Sequence, residues 1–282
     1  MSWALLRALA AGAALVCGVC TGAAEAPQRI VAVGGVVTEI AFALGRGDRL
    51  VAVDSTSTFP DAAKALPRVG YMRTLSAEGV LAVDPKLILA TDDAGPPSAL
   101  AQLRSAGVPV VSITAEHSFQ AVLAKVHRIG EALDAEGPAS EMERQLTVRW
   151  RQTTARVAAL PDRARVLFLL AHSSNNLLVS GTGTAADAMI RLAGGVNALS
   201  GFSGYKPLTA EAAAAAAPDV LLITREGVAQ LGTDHIWTQP GLALTPAGRN
   251  RRLVSMDALY LLGFGPRLPE AVRDLADQIH RS

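Results

Sequence analysis

Cysteine is confined to two positions, Cys17 and Cys20, and none follows them in the 282-residue chain. A disulfide framework and thiolate metal sites are thereby excluded from everything beyond residue 20. Charge of one sign is also missing. Lys+Arg total 26 against Asp+Glu 25, with no long run of either, so the basic footprint of a nucleic-acid binder is absent. Aromatic residues make up only 4%, with three tyrosines in all. Neither H-E-x-x-H nor G-x-S-x-G occurs, and the charged residues are scattered, so no catalytic constellation is expected and the chain does not read as an enzyme. Past the first two dozen residues, no apolar run reaches the roughly 20 residues of a membrane span.

The first two dozen residues need separate treatment. "MSWALLRALAAGAALVCGVC" places one cation, Arg7, before an uncharged apolar run, and "TGAAEA" supplies small residues. This is the pattern of a secretory signal peptide over residues 1–24, with cleavage after Ala24 or Ala26. Pro27 disfavours the later site. Neither Cys17 nor Cys20 sits in a good lipobox, so a plain exported protein is expected rather than a lipid-anchored one.

Beyond the signal, short apolar runs alternate with alanine-rich amphipathic stretches. "RIVAV" (29–33), "RLVAV" (49–53), "KLILA" (86–90) and "VPVVSI" (108–113) read as strands of a parallel sheet buried on both faces. "TEIAFALG", "SAEGVLAV" and "PSALAQLRSAG" between them read as helices closed by Gly45, Pro85 and Gly107. From 138 to 160 the pattern changes. Met142, Leu146, Trp150, Val157 and Leu160 fall near helical spacing in a stretch without glycine, which predicts one long helix. After Pro161 the alternation resumes with strands at 165–170, 219–223 and 252–256 and helices at 186–195 and 269–280. The organisation expected is an α/β lobe over 27–137, a linker helix over 138–160, and a second α/β lobe over 161–282.

The halves share a repeat. "LSAEGVLAVDPKLILA" (75–90) aligns without gaps to "LTAEAAAAAAPDVLLI" (208–223), and each is preceded by Gly-Tyr, at 70–71 and 204–205. Both read as N-cap, helix, proline stop and strand. "GTGTAA" (181–186) fits the loose dinucleotide fingerprint G-x-G-x-x-A. No Asp or Glu ends a strand about 20 residues later, so a tight turn into a helix is the better account, and an exported nucleotide-dependent enzyme is the remote rival.

Two α/β lobes bridged by one long helix behind an export signal resemble the substrate-binding proteins of iron-complex and cobalamin importers. Within that group, "VGYMRTLSAEG", "GTGTAADAMIRLAGGVNAL", "FSGYKPLTAEA" and "LYLLGFGPRLPEA" resemble the periplasmic haem-binding proteins of haemin ABC transporters. The likeness spans residues 28–282. It implies two Rossmann-like lobes with parallel sheets joined by one interdomain helix (a class III periplasmic binding protein), haem b as the transported ligand, a periplasmic location, and an ABC permease with its ATPase subunits as partners. An outer-membrane haem receptor upstream is a further implied partner.

The resemblance also implies roles for particular residues. Tyr71 stands at the haem axial ligand, and Arg73 at the supporting arginine. His172 and Arg225 are the nearest candidates for a second-lobe contact, and Tyr205 is a candidate by lobe symmetry. Glu78 and Glu211 stand where each lobe would pair with permease arginines. From residue type alone, Tyr71 reads as a ring packed at a lobe edge, and Glu78 and Glu211 as first-turn carboxylates complementing a helix dipole. The chemistry of the implied role is sound. Tyrosine is a known haem axial ligand, and Fe(III) together with a nearby cation favours the phenolate over a phenol that ordinarily titrates near pH 10. In an extended segment, residues i and i+2 share a face, so Tyr71 and Arg73 are expected to meet one ligand together. Arg73 either supports the tyrosine or pairs with a propionate. The other histidines, His117, His127, His235 and His280, read as surface residues. A ferric siderophore or a corrinoid is the alternative cargo; the low aromatic content argues mildly against either.

Overall fold

A computed structural model describes residues 28–160, 163–173 and 176–281. The expected signal peptide lies outside the described residues. The first half runs β1 (Ile30–Val33), α1 (Gly35–Ala43), β2 (Leu50–Val53), α2 (Ala77–Leu81), β3 (Leu87–Thr91), α3 (Pro97–Ser105), β4 (Val110–Ile113) and α4 (Phe119–Ala132). Its four strands form a parallel sheet in the order β2-β1-β3-β4. Helix α4 has no counterpart among the elements expected from sequence. Ser118 caps it by accepting from the Ala121 N–H at 3.1 Å, and Phe119, Val122, Val126 and Ile129 form its buried stripe.

α5 (Glu136–Ala158) is the long helix, 23 residues where 138–160 was expected. It packs against α4, where Trp150 stacks on Phe119 with centroids 4.8 Å apart, and against the last helix of the chain.

The second half continues with β5 (Arg165–Ser173), β6 (Asn176–Ser180), α6 (Ala185–Leu192), β7 (Val196–Asn197), β8 (Tyr205–Pro207), α7 (Ala210–Ala216), β9 (Val220–Thr224), α8 (Arg225–Leu231), α9 (Thr233–Trp237), α10 (Pro246–Arg249), β10 (Leu253–Met256), α11 (Ala258–Leu262) and α12 (Leu268–Ile279). Its sheet has the order β10-β9-β5-β6-β8, with β7 beside β5. Strands β10, β9 and β5 are parallel as expected, and the short β7, which was not expected, runs parallel to β5. β6 and β8 add an antiparallel edge that was not expected. Only two residues separate β5 from β6, far too few for a parallel crossover, so β6 must run back along β5.

Burial on both faces explains the near-continuous apolar strands inside each sheet; the edge strand β4 departs from that expectation, with Val110 and Val111 half-buried and Ser112 exposed. In β1, Ile30 and Ala32 join one core cluster while Val31 and Val33 join another. β5 does the same, with Val166 and Phe168 on one side and Leu167 and Leu169 on the other. The first of these clusters is continuous across both halves and includes Leu146 of α5 and Ile279 of α12.

The repeat is a structural one. Ser76 and Thr209 each cap their helix by accepting from the N–H three residues on, at 3.3 and 3.1 Å. Asp84 and Ala217, aligned with each other and each just before a proline, share a left-handed backbone with φ 45° and 40°. The residue before proline avoids the right-handed helical region; α7 ends with Ala217 as its C-cap, and α2 ends earlier, at Leu81. Each then feeds a strand in the interior of its own sheet.

Candidate functional site

The carboxyl ends of the first sheet's strands face the second half across a cavity of about 460 Å³, within the usual range for small-molecule and cofactor sites. Gly34 to Val36 follow β1, Ser55, Thr56 and Thr58 follow β2, Thr91 and Asp93 close β3, and Ala115 and His117 follow β4. Tyr71, Met72, Arg73 and Lys125 complete the first-half wall. Ala185, Tyr205, Glu226 and the segment around Leu259, Leu262 and Gly263 come from the second half.

A buried carboxylate shapes the rim. Asp54 is fully buried and accepts from the Gly34 N–H (3.0 Å), the Thr56 N–H (3.0 Å) and the hydroxyls of Thr56 (2.7 Å) and Ser57 (2.9 Å). It ties the loop after β2 to the start of α1. Gly34 is required there twice: its φ is 106°, and a β-carbon would lie 2.9 Å from the Thr91 side chain.

Tyr71 lines the cavity and is 45% exposed. The expected extended backbone is not what brings it near Arg73. Residues 71–74 form a turn in which the Thr74 N–H donates to the Tyr71 carbonyl at 2.9 Å. Gly95 stitches the turn in place by donating to the Met72 carbonyl and accepting from the Leu75 N–H, both at 2.9 Å. Both side chains nonetheless line one wall. Among the described residues nothing bonds the Tyr71 hydroxyl, whereas Arg73 Nη2 lies 2.7 Å from Asp93 Oδ2. Tyr205 lines the opposite side. Burial pushes its phenol up, offset in part by the Thr184 hydroxyl and the charge of Arg73.

The remaining sequence candidates divide. Arg225 begins α8 and is exposed; its neighbour Glu226 is the lining residue, and Glu226 Oε2 accepts from the Ala258 N–H at 3.1 Å. His172 is the penultimate residue of β5, and its side chain lies outside the described residues. Glu78 and Glu211 are exposed in the first turns of α2 and α7, away from the cavity walls. The "GTGTAA" loop satisfies its own polar groups. Thr184 caps α6, and Asp187 Oδ2 accepts from the Gly183 N–H at 3.2 Å. Asn197 Nδ2 donates to Asp187 Oδ1 at 3.1 Å. A tight turn is what the loop forms.

Two further cavity residues escaped the sequence reading. His117, expected at the surface, is instead in the cavity wall, its ring 5.1 Å from that of Phe264. Burial, with the nearby Lys125 charge, holds its imidazole below the ordinary value and so toward the neutral form. Lys125 is 2% exposed, and its Nζ donates to the carbonyls of Phe264 (3.1 Å) and Glu116 (3.4 Å). Burial lowers its pKa to about 8 against the attraction of Asp92, Asp93 and Glu116. The sequence did hold a signal: Lys125 interrupts the buried stripe Val122, Val126, Ile129 of α4, and an unpaired charge on an apolar face is unusual. Among the described residues no three His, Cys, Asp or Glu side chains converge to hold a metal ion.

Comparison with known proteins follows the same lines. A structure of the periplasmic heme-binding protein BhuT in complex with two hemes is 48% identical, with a TM-score of 0.85, covering 89% of this chain and 97% of that one. The periplasmic heme-binding protein RhuT from Roseiflexus sp. RS-1, in apo form, is 40% identical with a TM-score of 0.88, covering 90% and 98%. Among curated proteins, a vitamin B12-binding protein of Yersinia pestis is 31% identical over 189 residues, 66% of this chain and 65% of its own length. The periplasmic binding protein family model matches residues 30–260, and the chain belongs to that family.

Proposed function

We propose that this protein is exported to the periplasm, captures haem b in the cleft between its halves, and delivers it to an inner-membrane ABC importer. The observation that carries the reading is Tyr71: a phenol without a hydrogen-bond partner among the described residues, at the open face of a cofactor-sized cavity. The similarity to heme-binding relatives of known structure supports it. Tyr71 ligates Fe(III) as phenolate, since the metal's charge favours the deprotonated form. Arg73 adds positive charge to the same wall while Asp93 holds its guanidinium in place. Tyr205 and Glu226 face the cargo from the other half. His172 and Arg225 keep only the roles that resemblance gives them.

Domain limits in this reading are the signal peptide at 1–24, a first lobe over 27–137, the linker helix, and a second lobe to the C-terminus. Glu78 and Glu211 dock the permease. Their exposure, one on each half at matching positions of the repeat, suits a partner that reads both lobes at once. The ATPase subunits act behind the permease, and an outer-membrane haem receptor supplies the cargo.

Titration of the mature protein with haemin, followed by absorbance, tests the assignment beside Tyr71→Phe and Tyr71→Ala. A saturable Soret change with a high-spin ferric charge-transfer band is expected for the unmodified protein. Both variants should lose that band, because each removes the ligating oxygen and only alanine removes the ring. Saturable binding with unchanged spectra in both would refute Tyr71 as the ligand. The vitamin B12-binding relative favours a corrinoid as the second reading, and tight cobalamin binding without haemin binding would establish it. Charge reversal at Glu78 and Glu211 should abolish uptake and leave haemin affinity intact; normal uptake by the double variant would remove the docking role.

A further inference from the structure

The cavity wall contains a buried cation that no carboxylate meets at ion-pair distance among the described residues, although Asp92, Asp93 and Glu116 lie around it. Lys125 reaches from α4 with its side chain almost wholly buried, and it forms no salt bridge among the described residues. Arg73, the guanidinium in the lining, is already paired with Asp93 at 2.7 Å. Buried charges in proteins are ordinarily paired. An ammonium has three donor protons; two go to backbone carbonyls at Phe264 and Glu116, the third has no partner among the described residues, and Lys125 lines the cavity. The Phe264 carbonyl is delivered at some cost to the backbone. Phe264 has φ 49°, a left-handed conformation that bulky residues rarely adopt, between Gly263 and Gly265. That is the segment "LLGFGP", whose Leu262 and Gly263 also line the cavity.

The geometry points to Lys125 as the seat of a ligand carboxylate, so that the cavity selects a cargo with pendant carboxylates. This rests on the haem reading and sharpens it: the group bound is a propionate, and the direct ion-pair partner of Lys125 is the cargo's own. The charged and titratable groups around Lys125 are Asp92 and Asp93 beyond β3, and Glu116, His117 and, more distantly, Arg73 on the neighbouring turns. None takes the third proton at salt-bridge distance. An arriving carboxylate replaces lost hydration at Nζ and favours the charged form of the lysine. A neutral ligand leaves the ammonium as costly as before.

Haemin and haemin dimethyl ester, which differ only in the carboxylates, provide the test, each titrated into the mature protein and into Lys125→Met near pH 7. The unmodified protein should bind haemin at least roughly tenfold tighter than the ester, the scale of one hydrogen bond to a charged group. Lys125→Met should bind the two alike while keeping the Tyr71 charge-transfer band. In the unmodified protein the preference should fade as alkaline pH discharges the lysine. Equal affinity of the unmodified protein for both ligands overturns the proposal, whatever the variant does. A preference that survives Lys125→Met overturns the assignment to this residue and leaves haem as cargo. Failure of the unmodified protein to bind either one overturns the haem reading and the carboxylate seat with it.

Discussion

Lys125 should leave a pH signature in stability that needs no ligand. Its ordinary pKa is 10.5 and its folded value about 8, with burial the leading cause. Below pH 8 both the folded and the unfolded chain carry the charge, so the whole cost of burying it falls on the fold. Between about 8 and 10.5 the unfolded state binds more protons, so stability rises with pH; above 10.5 the contribution vanishes. At about 1.4 kcal/mol per pH unit, the interval is worth ~3 kcal/mol. The residue is 2% exposed, so solvent screening does little to reduce that figure. The assay is urea unfolding of the ligand-free protein and of Lys125→Met at several pH values from 7 to 10.5. Loss of the two carbonyl bonds shifts the variant by a constant amount, and other titrating groups cancel in the difference. The unmodified protein should gain ~3 kcal/mol relative to the variant as pH rises. A difference curve flat to within about 0.5 kcal/mol would refute the claim that the fold bears the cost of a charged lysine.

Two further outcomes concern stability. Glu39, 4% exposed on α1, holds Arg267 through two bonds of 2.7 and 2.8 Å, and the guanidinium lies 3.8 Å from the Phe59 ring centroid. Glu39→Gln should cost ~2–3 kcal/mol in urea unfolding, below the 3–5 expected of a fully buried pair because Arg267 is 28% exposed; a loss under about 0.5 kcal/mol would show the pair to be dispensable. Ser76→Ala and Thr209→Ala should each cost ~1 kcal/mol as lost helix caps, and their sum should match the double variant because the caps sit in different halves; marked non-additivity would contradict that independence.

The sequence announces most of the parallel strands because their runs are near-continuously apolar, and β1, β5 and β9 do face a core on both sides. It also announces the repeat, down to the proline stops at Pro85 and Pro218. Where it falls short, the reason is physical. β8 is three exposed residues that pair only because β6 offers an edge, and nothing local distinguishes them from a loop. Tyr71 and Arg73 are two apart and share a wall, but a turn stitched to Gly95 puts them there, and Gly95 is 22 residues beyond Arg73. His117 looks like a loop histidine until α4 and Phe264 fold around it. Contacts between distant segments decide these positions, and a single sequence records them only as anomalies such as the lysine in α4's apolar stripe.

Those same distant contacts bear on how the protein moves. One core cluster runs without a break from the first sheet through α5 into α12, so the halves share an interior rather than meeting at a wet interface. Three ties close to the cavity reinforce it. Glu39 grips Arg267, Lys125 donates to the Phe264 carbonyl, and Gly265 lies so close to α1 that a β-carbon there would be 3.2 Å from the Val36 side chain. On the far side Arg149 and Arg156 of α5 bind Glu270 and Asp277 of α12, each at 2.7 Å. Opening the cleft by a wide hinge would break the Glu39 and Lys125 pairs and shear a close-packed core, which transmits strain rather than yielding to it. Haem capture should therefore proceed with small adjustments of the Tyr71 turn and of side chains around an almost fixed frame. Small-angle scattering with and without haemin measures this directly: the radius of gyration should stay within about 1 Å, on a scale where a domain of this size is roughly 19 Å. A contraction of several ångströms would mean that the shared core is no barrier to closure, and that the lobes hinge about α5.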